Sequence, residues 1–324
     1  MKILFLTSGY DGVYKHFEAW IVKELQKNHQ VSVLQHKTKI NTLHTYIHTF
    51  QPDIALTLVG FYLSQGLLNA LQQNQIKTAI WFTEDPYYMD QTSMLANNFN
   101  YIFTIDSAAM EFYKKNDHNN VYHLSLATEP QIFKPKEIND SHKSDICMVG
   151  FPYPNRIHLI QYLLQNTNYQ IQVVGKWEKA LALFQRHPQL KIHEGWVEPS
   201  NAADYYNGAK IVLNTHRPFD LKRNQNRFGI VGRNINNRAF DVAACAAFQL
   251  IEYKEDLPSH FIENEEIVSF HNDQELTEKL NYYLTHDEER QRIAENARKR
   301  VLLEHTFTKR LEKMMNILTK DGNP

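Results

Sequence analysis

The feature that most constrains this 324-residue chain is an alternation of two textures along its first half. Short apolar runs stand at residues 3–6, 31–34, 54–59, 78–82, 101–104 and 121–124. Between them the apolar residues recur at helical spacing. Val13, Phe17, Trp20, Ile21 and Leu25 form one stripe, and Leu43, Tyr46, Ile47 and Phe50 form another that Pro52 closes. Residues 63–71 and 107–115 repeat the helical pattern. Strands that are apolar throughout are buried on both faces, which is the condition of a parallel sheet covered by helices. The first part of the chain is therefore expected to be doubly wound α/β.

The texture changes at residues 126–143, where Pro130 and Pro135 lead into a polar run. Stretches of that kind join compact units. The alternation then restarts, with strands expected at 145–149, 171–174, 211–214, 248–251 and 267–270, and a helix at 157–164. Residues 273–318 read as two or three helices with charged outer faces. The expectation is two Rossmann-like α/β domains facing a cleft, at residues 1–130 and 131–305. A last helix, in 306–324, is expected to pack back on the first domain or to mediate dimerisation.

Composition excludes several classes. Lys plus Arg is 35 against 36 for Asp plus Glu, a formal charge of −1, so no nucleic-acid footprint covers the surface. No apolar stretch is long enough for a membrane span, and the run at 3–6 is too short for a signal peptide. A soluble, cytoplasmic protein is expected. Cys147 and Cys245 each sit in an apolar stretch and are expected to be buried, reduced thiols. Sixteen histidines raise the question of metal, but only His44 and His48 have helical spacing, without a third ligand. No metal or cofactor is expected. Neither a Walker-type loop nor a G-x-S-x-G elbow is present.

In an open parallel sheet, ligands bind beyond the carboxyl ends of the strands. In the first domain these positions include Gly9, Tyr10 and Gly12, and the run Trp81-Phe82-Thr83-Glu84-Asp85-Pro86-Tyr87-Tyr88. Carboxylates beside aromatic rings suit a sugar, whose C–H face stacks while its hydroxyls donate hydrogen bonds. The same run equally fits a helix start with Asp85 as cap and Pro86 at the first helical position. In the second domain the strand ends bring Gly150, Arg156, Gly175, Lys176 and Arg217, a set suited to anions. Arg217, Lys222, Arg223, Arg227, Arg233 and Arg238 follow with few acids among them, and are expected to form an anion site at the mouth of the sheet.

Residues 237–252 read N-R-A-F-D-V-A-A-C-A-A-F-Q-L-I-E. This closely resembles the N-R-x-F-E-x-x-A-C-G-x-F-x-L-x-[ED] segment of CgeB/YkvP-like glycosyltransferases, a group with the GT-B fold that includes spore-coat maturation proteins. Tyr253 to Leu257, Phe261 and Glu266-Ile267-Val268 follow in the family's order. Residues 201–214, ending at Asn214, resemble the segment before the donor site. The run 126–135 resembles the start of the interdomain connection, and 81–88 resembles the acceptor-side domain. The resemblance spans nearly the whole chain.

It implies sugar transfer from a nucleotide-diphosphate donor, UDP among the possible nucleotides, on the second domain to an unknown acceptor reached from the first, without metal. Asp241 would bind the ribose hydroxyls. Arg238 and Asn237 would contact diphosphate or sugar, with Arg156 and Lys176 as further diphosphate ligands and Gly150, Asn214 and Arg217 completing the donor side. Gly9, Tyr10, Gly12 and Tyr87 would face the acceptor, and Asp85 or Glu84 would serve as base if the reaction inverts. Two residues depart from the pattern. Arg233 stands where retaining relatives have a glutamate, leaving the stereochemistry open, and Ala246 stands where the family has glycine and is expected to crowd the donor. Those departures motivate a second reading, a non-catalytic GT-B-shaped spore or cell-surface binding protein. A sugar-nucleotide epimerase is the third.

Overall fold

The six early apolar runs become parallel strands in the computed structural model, which describes residues 1–320. They are β1 (Lys2–Leu6), β2 (Gln30–Leu34), β3 (Ile54–Leu58), β4 (Lys77–Phe82), β5 (Tyr101–Thr104) and β6 (Val121–His123). Their order is β2-β1-β3-β4-β5-β6. Every residue of the central strands β3 and β5 is buried, which is why those runs carry no polar alternation. Helices α1 (Val13–Leu25), α2 (Ile40–Phe50), α3 (Gln65–Gln73), α4 (Met89–Ala96) and α5 (Ser107–Lys115) connect them. Asp106 caps α5, accepting from the backbone N–H groups of Ala108 and Ala109 at 2.9 and 3.1 Å.

The second sheet contains β7 (Ser144–Val149), β8 (Ile171–Gly175), β9 (Leu190–Glu194), β10 (Ala209–Asn214), β11 (Gln249–Glu252) and β12 (Val268–Phe270). Its order is β12-β11-β10-β7-β8-β9, again parallel. Counted from β7 this is 6-5-4-1-2-3, the order of a dinucleotide-binding sheet. Helices α6 (Pro154–Asn166), α7 (Pro199–Gly208), α8 (Arg238–Ala244), α9 (Asp273–Tyr283) and α10 (Asp287–Glu304) accompany it, and α11 (Phe307–Lys320) ends the described chain. Strand β9 and helix α7 go beyond the sequence expectation. β9 is an edge strand with a single buried residue, so it lacks a solid apolar run. Cys147 and Cys245 are buried free thiols.

The chain divides into two compact units whose boundaries differ from 1–130 and 131–305. The first comprises Met1–Leu126, Phe219–Asn234 and the residues from Phe307 onward; the second comprises Ala127–Pro218 and Ile235–Thr306. Residues 219–234, expected in the second domain, belong to the first. Arg227 binds Asp90 through its backbone N–H at 2.9 Å and its guanidinium at 3.1 Å. Phe228 packs 4.7 Å from Phe112, centroid to centroid. Asp106 uses its second oxygen to accept from the N–H groups of Arg233 and Asn234, at 2.7 and 3.1 Å. Helix α11 also lies in the first unit. Its Phe307 sits 5.9 and 5.6 Å from the rings of Phe17 and Trp20, and Arg310 donates to the carbonyl of Ser125 at 2.8 Å.

In each sheet the direction of strand addition reverses once. The reversal falls between β1 and β3 in the first sheet and between β7 and β10 in the second. Such switch points open crevices at the carboxyl ends of the strands, where ligands of open α/β sheets bind.

Candidate functional site

At the switch point of the second sheet, β7 is followed directly by Gly150 with φ near 138°, a conformation that favours glycine. A side chain there would also collide, because a Cβ would stand 2.6 Å from Nη2 of Arg238 and 2.9 Å from Nη1 of Arg156. Two guanidinium groups thus converge over one strand end. Trp177, fully buried after β8, holds that end by donating its indole N–H to the Gly150 carbonyl at 2.9 Å.

The two arginines play different parts. Arg156 is 3% exposed and donates to the Thr215 hydroxyl at 3.0 Å, the Thr215 carbonyl at 2.5 Å and the Phe151 carbonyl at 3.0 Å. It braces the ends of β7 and β10 together and adds charge from beneath, with the Tyr153 ring 4.9 Å from its Cζ. Arg238, half-buried at the start of α8, donates to Asn214 Oδ1 at 3.1 Å. Asn236 donates to the same oxygen at 2.9 Å and to the Thr215 carbonyl at 3.1 Å. Arg217 lies at the same strand end, 6.0 Å from the Tyr153 ring. Lys176 follows Gly175 at the end of β8 and is exposed.

Asp241 lies one turn into α8 and is buried. Asn237 donates to its Oδ2 at 2.9 Å, while Oδ1 has no hydrogen-bond partner. Burial pushes its carboxyl up to about 7, against the opposing pull of Thr128, Arg238 and Asn237. Asn155 Oδ1, Asn236 Oδ1 and Asn237 Oδ1 are likewise buried and unpartnered. Buried polar atoms in native proteins nearly always find partners, so their accumulation around one strand end makes it the candidate site. Sequence reasoning missed His216 here. Its backbone N–H and Nδ1 both approach Glu252 Oε2, at 2.8 and 3.3 Å. A carboxylate only accepts, so Nδ1 carries the proton and the unpartnered, buried Nε2 is left as an acceptor. Burial lowers the imidazole pKa, outweighing Glu252. The signal in the sequence was a histidine two residues past an apolar strand.

The basic run at 217–238 is divided between the two units. Only Arg217 and Arg238 belong to the second unit; Lys222, Arg223, Arg227 and Arg233 lie in the first. There Arg233 pairs with Glu111 at 2.7 Å, and Arg227 pairs with Asp90. Long-range pairing partners of this kind leave no local pattern. Ala246 stands where the resemblance places a glycine. It follows the last turn of α8 with φ near 51°, so the family's glycine answers a left-handed backbone position.

The first unit builds its switch point from aromatic rings. Tyr10, beyond β1, lies 5.1 Å from the Tyr14 ring and 5.3 Å from Tyr62, which stands beyond β3. Phe61 lies 6.4 Å from Tyr10 and 5.6 Å from Tyr88, which stands beyond β4. Tyr14 donates to Glu84 Oε1 at 2.5 Å and lies 2.9 Å from the Thr83 hydroxyl. Gly9 and Gly12 have φ near 79° and 65°, and the His36 ring lies within 2.6 Å of where a Gly9 Cβ would be. Tyr87 binds Gln225 N–H through its carbonyl at 2.9 Å, while Tyr88 supplies the ring contact with Phe61.

Asp85 is neither base nor helix cap. It is 0% exposed and accepts from the hydroxyls of Thr104, Thr92 and Tyr113 at 2.8, 2.9 and 3.0 Å. Burial pushes its carboxyl up to about 7 despite those donors. Helix α4 begins three residues later than the sequence suggested, with Tyr88 at its cap position. Of the two adjacent carboxylates, only half-buried Glu84 reaches the strand-end face. Among the described residues, no group of three or more His, Cys, Asp or Glu side chains is placed to hold a metal ion, and no helix is long and apolar enough to cross a membrane.

A family described as glycosyl transferase-like matches residues 156–316. The spore protein CgeB of Bacillus subtilis (strain 168) is 35% identical over 310 residues, 95% of each chain. Among solved structures, Anabaena HepE in complex with UDP-glucose superposes with a TM-score of 0.70 at 12% identity, over 99% of this chain and 100% of that one. Sucrose-phosphate synthase from Thermosynechococcus elongatus superposes with a TM-score of 0.69 at 10% identity, over 99% and 98%. These structures share the paired parallel sheets, and the relative shares the sequence nearly end to end. The chain belongs to the CgeB-like glycosyltransferase family and carries its GT-B fold.

Proposed function

We propose that this protein transfers a hexosyl or related group from a nucleoside diphosphate donor, with UDP as the nucleotide, to an acceptor hydroxyl, and that it needs no metal cofactor. The observation that carries this reading is the convergence of Arg238 and Arg156 over Gly150 at the second switch point. Bare backbone with two guanidinium groups beside it suits a diphosphate. The UDP-glucose complex of HepE supports uridine as the base. In this reading Asp241 accepts from the ribose hydroxyls through its unpartnered Oδ1.

The chemical step forms a bond from the acceptor oxygen to the anomeric carbon and breaks the bond from that carbon to the diphosphate. Negative charge develops on the departing phosphate, where Arg238 and Arg156 stabilise it. The acceptor proton passes to a base. Glu84, oriented by Tyr14, takes that role if configuration inverts, and the leaving phosphate itself takes it if configuration is retained.

A thermal-shift series with UDP, ADP, GDP and UDP-glucose, with and without chelator, tests the reading. A ligand at a hundred times its Kd adds about 2.7 kcal/mol to stability. The expected result is a shift with UDP and UDP-glucose that chelator leaves unchanged. Absence of any nucleotide shift would overturn it.

A further inference from the structure

We propose that the carboxyl-end face of the first unit binds a carbohydrate ring stacked on Tyr62, so that the acceptor is itself a glycan. This rests on the reading of the first unit as the acceptor side, and it names the acceptor's class. Three separate strand ends contribute rings to one cluster: Tyr10 after β1, Tyr62 and Phe61 after β3, and Tyr88 after β4. Tyr62 is 56% exposed, although its ring is in contact with Tyr10 and with His36, 5.9 Å away. Two tilted ring contacts thus anchor it while more than half of it stays open to solvent, as a stacking platform requires.

Beside this platform lies a cavity of about 430 Å³, lined by Tyr10 together with Thr7, Glu18, Gln35 and His36. Its size falls in the range of small-molecule sites. Apolar walls from Phe5, Ala19, Val22 and Val33 alternate there with hydroxyl, amide, carboxylate and imidazole groups and with the Lys15–Asp11 ion pair, and the polar groups match the hydroxyls around a sugar. The charge held within the ring cluster, on Glu84, is negative, so the face disfavours a phosphorylated or carboxylated ligand. A neutral pyranose satisfies all of these features at once: its C–H face lies on Tyr62 and its edge hydroxyls reach the polar groups of the cavity.

Saturation-transfer NMR on the full chain tests this, with methyl glycosides of glucose, galactose and N-acetylglucosamine as carbohydrate probes, methyl 4-hydroxybenzoate as an aryl probe, and UDP run in parallel. The expected result is transfer to the C–H protons of one ring face of a glycoside. Tyr62→Ala should weaken that binding about tenfold, Tyr62→Phe should retain it, and UDP should bind equally well to all three proteins. Equal glycoside transfer in wild type and Tyr62→Ala overturns the proposal. So does transfer to the aryl probe alone, or to no glycoside while UDP still binds. Failure of the donor reading shows separately, as glycoside transfer without UDP transfer.

Discussion

The two sheets reverse direction at equivalent places, and the chain has furnished the two crevices with opposite chemistry. Between β7 and β10 stand guanidinium and amide groups over bare glycine backbone; around the ends of β1, β3 and β4 stand rings, hydroxyls and carboxylates. The sheet topology supplies a crevice but does not choose its ligand. The side chains within a few residues of each strand end make that choice.

Arg238→Ala is the strongest way to break this contrast. Asn214 Oδ1 keeps its bond from Asn236, so the substitution leaves no orphaned acceptor behind. Loss of a charge-assisted phosphate contact costs roughly 2–4 kcal/mol, a thirty- to thousandfold weakening. Calorimetric titration should show UDP affinity falling by that factor, while glycoside transfer at Tyr62 stays unchanged. A parallel loss of both would mean that the two crevices are not independent.

The same contrast explains what the sequence disclosed. Sheet strands were legible because a strand buried on both faces is almost wholly apolar, and β3 and β5 carry only a single threonine each. The strand-end cluster of the second unit was partly legible because residues 238 and 241 sit in a continuous motif and Gly150 follows its strand directly. Of the ring cluster, Tyr10 and the aromatic run ending at Tyr88 stood out, but Tyr62 did not, because the rings come from three strand ends and no local pattern links them. Residues 219–234 were misplaced for a similar reason: Asp106 and Asp90 hold them through bonds spanning more than a hundred residues. Asp85 and Glu84 look equivalent in sequence. Only the direction of each side chain separates a buried carboxyl ringed by hydroxyls from one that faces the strand ends.

A buried carboxyl pushed up to about 7 occurs in each unit, and pH sharpens the comparison between them. The folded pKa lies above the ordinary 3.8, so the folded state holds a proton that the unfolded chain has lost. Stability from each group is therefore fully present below about pH 4 and declines as pH rises toward about 7, by about 1.4 kcal/mol per pH unit. Asp85→Asn should remove one such slope from urea-unfolding data measured across that window and leave UDP affinity unchanged. Asp241→Asn should remove a similar slope and also abolish the strengthening of UDP binding expected as Asp241 ionises near pH 7. If Asp85→Asn alters UDP affinity as much as Asp241→Asn does, the division into a structural and a ligand-binding carboxyl is wrong.

The smallest expected effect separates two explanations for one residue. Ala246 occupies the left-handed position after α8 where related sequences carry glycine, and its N–H bonds back to the Ala243 carbonyl at 3.0 Å. A side chain there costs about 1 kcal/mol relative to glycine, because Cβ crowds the following carbonyl. If backbone conformation is the reason for the family's glycine, Ala246→Gly should raise Tm by a few degrees with UDP affinity unchanged. If the alanine instead obstructs the donor crevice, the substitution should tighten UDP binding and leave Tm where it was. Calorimetry of the two proteins, with and without UDP, distinguishes the outcomes. The φ of 51° favours the first, since a positive φ is a demand the backbone makes whether or not a ligand is bound.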